Sequence, residues 1–335
     1  MWKKVYQTFN HLPDVEKDKF IRALERDKTS IKSDIAKFIS NIRETRFSEG
    51  LGCVHCGSTA VVRHGKYRGR QRYKCKDCFK TFNDMTNTPI GGTHKPHLWL
   101  QYIELMVEGY TLPKIVKRLN IHISTAFYWR HKVLNAVRSI GDSVLQGVIE
   151  SDETYLLESM KGSKHISHRK SRKRGGVAPE RGISKSQVSI LVAMDRNGNI
   201  ISRKNGYGRT TASEIESVLG DFIDSSSILC TDTATNYKKF AKLKKLPHET
   251  INARKGIYVR KHIYHIQHVN SYHNQLKRWL DRFQGVSTRW LDNYLYWFRF
   301  LQLNKKLPFE EQINSLLLGC CRGSNYATIE ELRAA

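Results

Sequence analysis

The sequence predicts a multidomain α+β protein. Three observations carry that prediction: two C-x2-C pairs near the amino end, helical periodicity after them, and alternating strand-like and helical stretches through the second half. At 335 residues the chain has room for two or three domains, and a 39% hydrophobic content is enough to build real cores. Lys and Arg outnumber Asp and Glu by 57 to 31, a net charge of +26 at pH 7. Self-repulsion on that scale points to a polyanionic partner. Nucleic acid fits better than an anionic membrane, because the sequence holds neither an eighteen-residue apolar run nor a basic amphipathic helix with a strong apolar face. The first twenty residues turn polar before any apolar stretch accumulates, so the expected compartment is the cytoplasm, where thiols stay reduced.

The opening cysteines come first in the chain. Cys53, Cys56, Cys75 and Cys78 stand as two knuckles eighteen residues apart, the spacing of a structural tetrahedral Zn2+ site. Between them, Val61 and Val62 begin a strand and Gly65 and Gly69 punctuate a turn, so residues 49–90 are expected to form a zinc ribbon. Too few apolar residues lie there to make a core without the ion, whose binding is worth about 10–16 kcal/mol in small zinc peptides. A disulfide pair and a catalytic zinc are the alternatives; the first suits an oxidising compartment and the second an open coordination position, which four thiolates do not leave. From Arg63 to Lys80 eight Lys or Arg face the single acid Asp77. Arg63, Lys66, Arg68, Arg70 and Arg72 are therefore candidate phosphate contacts, with a merely solvated face as the plain alternative. Residues 1–48 show helical spacing and are expected to form a helical element.

Residues 94–140 read as helix, break at Gly109, short helix, the turn "NIH" and a longer helix with Ser124 as its N-cap. That is the layout of a helix-turn-helix whose last helix enters the major groove, with Thr125, Tyr128, Arg130, His131 and Lys132 as exposed candidates; a plain helical bundle is the alternative.

From Gln146 the texture becomes strand, hairpin with Asn197-Gly198 at its turn, helix, strand, helix: a mixed sheet flanked by helices over residues 145–310. Asp152 and Asp232 stand at the ends of apolar strands, where adjacent strands present side chains to a shared point, and two such carboxylates can bridge a pair of Mg2+ ions. A helix starting near Val269 puts Asn270 and Lys277 on one face, because seven residues at about 100° each return to within about 20° of the start. Lys161 to Arg174 carries seven Lys or Arg and no acid, either a solvated loop or an arm that tracks DNA. His262, His265, His268 and His273 cluster around the start of that helix, at a spacing that suits DNA contact or packing better than a second zinc site. Residues 311–335 are a helical tail with Thr328 and Glu331 in a capping-box pattern.

The stretch "HVNSYHNQLKRWLDRFQGVSTRWLDNYLYWFRF", with "SDETYL" and "CTDTATNY" upstream, resembles the transposases of bacterial insertion-sequence family 1595, within the RNase H-like DDE superfamily. The resemblance implies an RNase H-like catalytic domain with a metal site formed by Asp152, Asp232 and Asn270. Asn270 stands where the superfamily typically has Glu, and an amide oxygen is a weaker ligand for a hard cation. It also implies two catalytic Mg2+ or Mn2+ ions, cleavage of double-stranded DNA at the element's ends, transfer into target DNA, and a homodimer or higher assembly on DNA. A non-enzymatic, sequence-specific DNA-binding regulator with a degenerate catalytic domain is the alternative function.

Overall fold

The computed structural model describes residues 2–67, 69–138, 140–172, 176–322 and 326–334. Two compact units divide the chain, Met1–Tyr102 and Ile103–Ala335.

In the first unit, α1 (Trp2–Asn10) and α2 (Asp14–Arg46) precede a three-stranded antiparallel sheet of β1 (Val61–Tyr67), β2 (Arg70–Cys75) and β3 (Thr81–Phe82). The β1–β2 hairpin is held in register by Val61 opposite Cys75 and Tyr67 opposite Arg70. Tyr73 and Phe82 meet across β2 and β3 with ring centroids 5.5 Å apart, and with Cys53 and Cys75 they make, among the described residues, a small buried cluster against which the partly buried Phe47, Leu51, Val54 and Val61 pack. α3 (Trp99–Val107) carries the chain from the first unit into the second.

The second unit begins with α4 (Leu112–Leu119) and α5 (Ile123–Ala136). Asn120, at φ 49°, sits in the left-handed region and ends α4, and the His122 ring accepts the Ser124 amide at 3.2 Å, so His122 rather than Ser124 is the N-cap of α5. A five-stranded sheet follows: β4 (Val148–Leu157), β5 (Gln187–Asp195), β6 (Ile200–Tyr207), β7 (Ile228–Thr231) and β8 (His248–Thr250), in spatial order β6-β5-β4-β7-β8. The first three are antiparallel neighbours, while β4, β7 and β8 run parallel. Asp195 fixes the β5–β6 turn by accepting the amides of Asn197 and Asn199, both at 2.9 Å.

Alternation along β4 decides what each face meets. Ile149 joins Leu191, Ala193 and Ile201 under α6 (Ala212–Leu219) and α7 (Thr235–Lys244), where Ile215, Leu219, Tyr237 and Phe240 complete the core. α6 starts in a full capping box between Thr211 and Glu214. The opposite face packs under α8 (Gln267–Asp281) and α9 (Leu291–Asn304), with α10 (Phe309–Arg322) and α11 (Ile329–Ala334) beyond. The capping box expected at Thr328 and Glu331 forms at the start of α11. The mixed α+β character expected from the sequence is what the chain adopts. No helix among the described residues is long and apolar enough to cross a membrane.

α5 departs from expectation. It packs against α4, α9, α10 and α11, and that burial encloses Arg130, His131 and Lys132 together with Trp129, Val133 and Leu134. Arg130 is 1% exposed: it donates to the Tyr110 carbonyl at 2.6 Å and lies 4.8 Å from the centre of the Trp297 ring. Lys132 lies over the Tyr326 ring, and His131 accepts from the Asn293 amide at 2.9 Å between the Phe127 and Trp290 rings. These three cationic or polar side chains are structural, so the expectation that Arg130 and Lys132 face a groove of DNA is corrected. Thr125 and Tyr128 are half-buried, the latter taking a hydrogen bond from Arg333 at 3.2 Å. The layout predicted for residues 94–140 matches in order, but the last helix is a bundle's central element. The cause is a set of tertiary partners, most of them 160 or more residues away in sequence, which local periodicity does not report.

Candidate functional sites

In the first unit, the four cysteine sulfurs all lie within 4.8 Å of one another. Cys53 Sγ is 3.6 Å from Cys78 Sγ, and Cys56 Sγ is 3.7 Å from Cys75 Sγ. Four thiolates on a tetrahedral zinc at about 2.3 Å stand about 3.8 Å apart, whereas a disulfide needs about 2.05 Å. The knuckle amides already point at sulfur: His55 N–H to Cys53, and Asp77 and Cys78 N–H to Cys75, at 3.4 to 3.5 Å. The amides of Cys78 and Asp77 help hold the Cys75 thiol down to about 6, whereas burial and the neighbouring thiols push Cys56 up to about 12 and raise Cys78, so that without an ion Cys75 is the first of the cluster to ionise. Donor set and spacing both fit zinc.

On the hairpin beside it, Arg63 and Lys66 are exposed, Arg72 donates to the Thr81 hydroxyl at 3.2 Å, and burial raises the pKa of Asp84 while the nearby charge of Arg70 partly opposes that rise. Arg68 lies outside the described residues.

In the second unit, β4 and β7 bring two distant acids together. Their parallel register pairs Val148 with Ile228 and Glu150 with Cys230; the two chains continue past the last pair to Asp152 and Asp232, which lie near enough for the charge of Asp232 to act on Asp152. Asp232 ends its strand and turns the chain into α7 by accepting the Ala234 amide at 2.9 Å. The Asp152 carboxyl is pushed up to about 7, by burial first and then by the charge of Asp232. Glu153 is likewise pushed to about 7 by burial, Asp152 and Asp232, and accepts from Asn236 at 3.0 Å. Glu153 was not among the residues singled out from sequence, although "ESDE" displays it beside Asp152.

Helix α8 crosses this face of the sheet with Val269, Tyr272, His273 and Leu276 buried. Lys277 is near enough to Asp152 for its charge to oppose the rise in that carboxyl's pKa. His273, one turn earlier, is pushed down to about 4 by burial and by Lys277, which keeps it neutral. Asn270 is exposed at the start of the helix, one turn before His273 and two before Lys277. The stripe expected from helical periodicity therefore exists, and the charge at its lysine end is felt at Asp152.

At the far end of β4, a groove of about 1560 Å3 is lined by Lys114, Lys161, Arg169, Arg172 and Arg282, with Glu108, Glu158 and Asp281 among its acids. The basic segment that opens it is pinned. Glu158 takes Arg169 and His168 on its carboxylate, both at 3.0 Å, and Lys161 donates to the carbonyls of Phe283 and Gly285, both at 2.9 Å. Lys173 and Arg174 lie outside the described residues.

A basic chain with a partly buried pair of aspartates at the ends of adjacent parallel strands has the donor chemistry that suits a divalent cation beside a polyanion. The comparisons then supply a matching domain. Residues 144–301 match the family described as the ISXO2-like transposase domain. The chain carries that transposase domain, and the resemblance to insertion-sequence family 1595 is borne out. A relative from Halobacterium salinarum, an uncharacterized protein in transposable element ISH50, is 27% identical over 286 residues, spanning 82% of this chain and 93% of its own length. Among solved structures, a pre-cleavage Mos1 transpososome aligns over 68% of this chain and 78% of that one, at 11% identity and a TM-score of 0.23. A mariner Mos1 paired end complex with Mg aligns over 69% and 78%, at 12% identity and a TM-score of 0.22. Overlaps that low carry no weight for fold or mechanism.

Proposed function

We propose that this protein is a DDE-type DNA transposase that binds the terminal inverted repeats of an insertion sequence, cleaves DNA there and joins the freed ends to target DNA. The observation that supports the reading is the parallel pairing of β4 and β7, which runs to the residues just before Asp152 and Asp232, together with the burial and the nearby Asp232 charge that disfavour a bare negative charge on Asp152. Such a pair suits divalent cations, and Mg2+ or Mn2+ bound there would supply Lewis acidity and an activated hydroxyl nucleophile.

The chain's own residues do the rest. Asp152 and Asp232 are the anionic ligands. Asn270 offers a neutral amide oxygen from the start of α8 in the role of third catalytic residue. Lys277 places a cation beside Asp152, where the phosphate of a bound strand needs one. Glu153, held by Asn236, keeps a third carboxyl next to the pair and is available to hold a proton near neutral pH. Hydrolysis at the element's end and attack by the new 3′-hydroxyl on target DNA are then one in-line displacement at phosphorus with two nucleophiles.

DNA is held by separate basic surfaces. Arg63, Lys66, Arg70 and Arg72 of the zinc-binding hairpin contact phosphates, and the groove of Lys114, Lys161 and Arg282 tracks the backbone. Two ends must be handled together, so the working form is a dimer or larger on DNA, in a cytoplasmic, nucleoid-associated setting.

The test uses purified protein, Mg2+ and a duplex carrying the repeats that flank the encoding gene. Asp152→Ala and Asp232→Ala should each retain binding to the ends and lose cleavage. Cleavage persisting in either variant refutes the assignment.

A further inference from the structure

Glu150 lies two residues before Asp152, on the same face of β4, and is 1% exposed. Its carboxylate reaches up to helix α8. One oxygen accepts the backbone N–H of His268 at 2.9 Å and that of Val269 at 3.3 Å. Those amides are the second and third of the helix, whose own N-cap residue, Ile266, supplies no side-chain acceptor. A strand residue is therefore doing the capping that a local Ser or Asp ordinarily does, and it places a negative charge at the positive end of the helix.

The other oxygen is also engaged. It meets Arg196 Nη1 at 2.6 Å, His268 Nδ1 at 2.6 Å and His265 Nδ1 at 3.3 Å. The Arg196 guanidinium in turn contacts His268 Nδ1 at 2.6 Å and His265 Nε2 at 3.2 Å, and donates to the Ile263 carbonyl at 3.0 Å. Glu150, His265 and His268 have the spacing of a metal-binding triad. The position a cation would take among them is filled by the guanidinium, which meets the carboxylate's charge and anchors the loop leading into α8.

We infer that Glu150, locked by Arg196, is a positioning residue for the catalytic site: it pins the first turn of α8 to β4 and so fixes Asn270 relative to Asp152. The geometry gives a short mechanical chain. Asp152 is two residues from Glu150 along a strand paired on both sides, and Asn270 directly follows the second amide that Glu150 holds. No flexible segment intervenes, so displacing the carboxylate moves the helix start against the acids. This inference rests on the transposase reading for its catalytic consequence, but the clamp itself is measurable without activity.

The experiment compares the full-length, zinc-loaded wild type with Glu150→Gln and Arg196→Met. Glu150→Gln keeps size and one acceptor while removing the charge. Backbone amide exchange at His268 and Val269 reads the clamp. Single-turnover cleavage as a function of Mg2+ concentration reads its consequence, and melting temperature and end binding report the fold. Expected are faster exchange at those two amides in both variants, unchanged end binding, and cleavage slower by about 10–100-fold, the usual effect of removing a group that orients a metal ligand. Part of the lost cleavage should return at higher Mg2+, which a general loss of stability would not produce.

Exchange at wild-type rates in Glu150→Gln overturns the clamp. Faster exchange with wild-type cleavage overturns the positioning role. A second equivalent of Zn2+, bound by wild type and lost in Glu150→Gln, overturns the guanidinium lock in favour of a metal site. If wild type itself fails to cleave, the transposase reading fails on its own, and the exchange data still decide the clamp.

Discussion

Replacing Asp152 by asparagine should make the protein more stable while destroying its chemistry. The Asp152 carboxyl titrates near 7 in the folded chain against an ordinary 3.8, because it is buried and faces Asp232. A carboxylate raised in this direction costs stability: the cost is absent below pH 3.8, grows as pH rises towards 7, and is constant above. At about 1.36 kcal/mol per pH unit between those two values, the ionised group burdens the fold by about 4 kcal/mol at pH 8 and by less than about 2 kcal/mol at pH 5. Asn keeps the shape without the charge, so Asp152→Asn should gain about 3–4 kcal/mol at pH 8 in zinc-containing, magnesium-free buffer. About half of that gain or more should vanish at pH 5. Added Mg2+ should stabilise wild type and leave the variant unmoved, since only a folded-state ligand site responds by mass action. Urea unfolding at the two pH values, with and without Mg2+, measures all of this. A variant no more stable than wild type at pH 8, or a gain independent of pH, refutes the electrostatic account of the site.

Two further outcomes follow from the other regions. Stripping zinc, or changing Cys75 to Ser, should release one equivalent of metal per chain and unfold the β1–β3 sheet, because two of the four buried residues of its cluster among the described residues are cysteines of the metal site; hairpin amide protection surviving in metal-free protein would contradict this. Arg130→Ala should cost about 3 kcal/mol or more in stability without changing the salt dependence of DNA binding, whereas Arg63→Ala should leave stability alone and reduce the salt slope by about one. The reverse pattern would restore α5 as a DNA-reading helix.

Sequence alone determined the local features. The cysteine spacing fixed the four-thiol cluster, the Asn197-Gly198 dipeptide fixed a hairpin, and helical periodicity put Asn270 and Lys277 on one stripe, because each depends on residues no more than 25 positions apart. Asp152 and Asp232 were legible as candidates through the strands they end, although nothing local shows that those strands are neighbours; the β4–β7 pairing does.

Tertiary structure decided the rest. Arg130 and Lys132 read as an exposed, DNA-facing pair until α9 and residues near the carboxyl end close over them. Glu150 read as one more strand residue until α8 brings two amides to its carboxylate. Burial and long-range hydrogen bonding depend on which distant segments meet, and it is these that turn a surface cation into a core one and an unremarked acid into a helix cap.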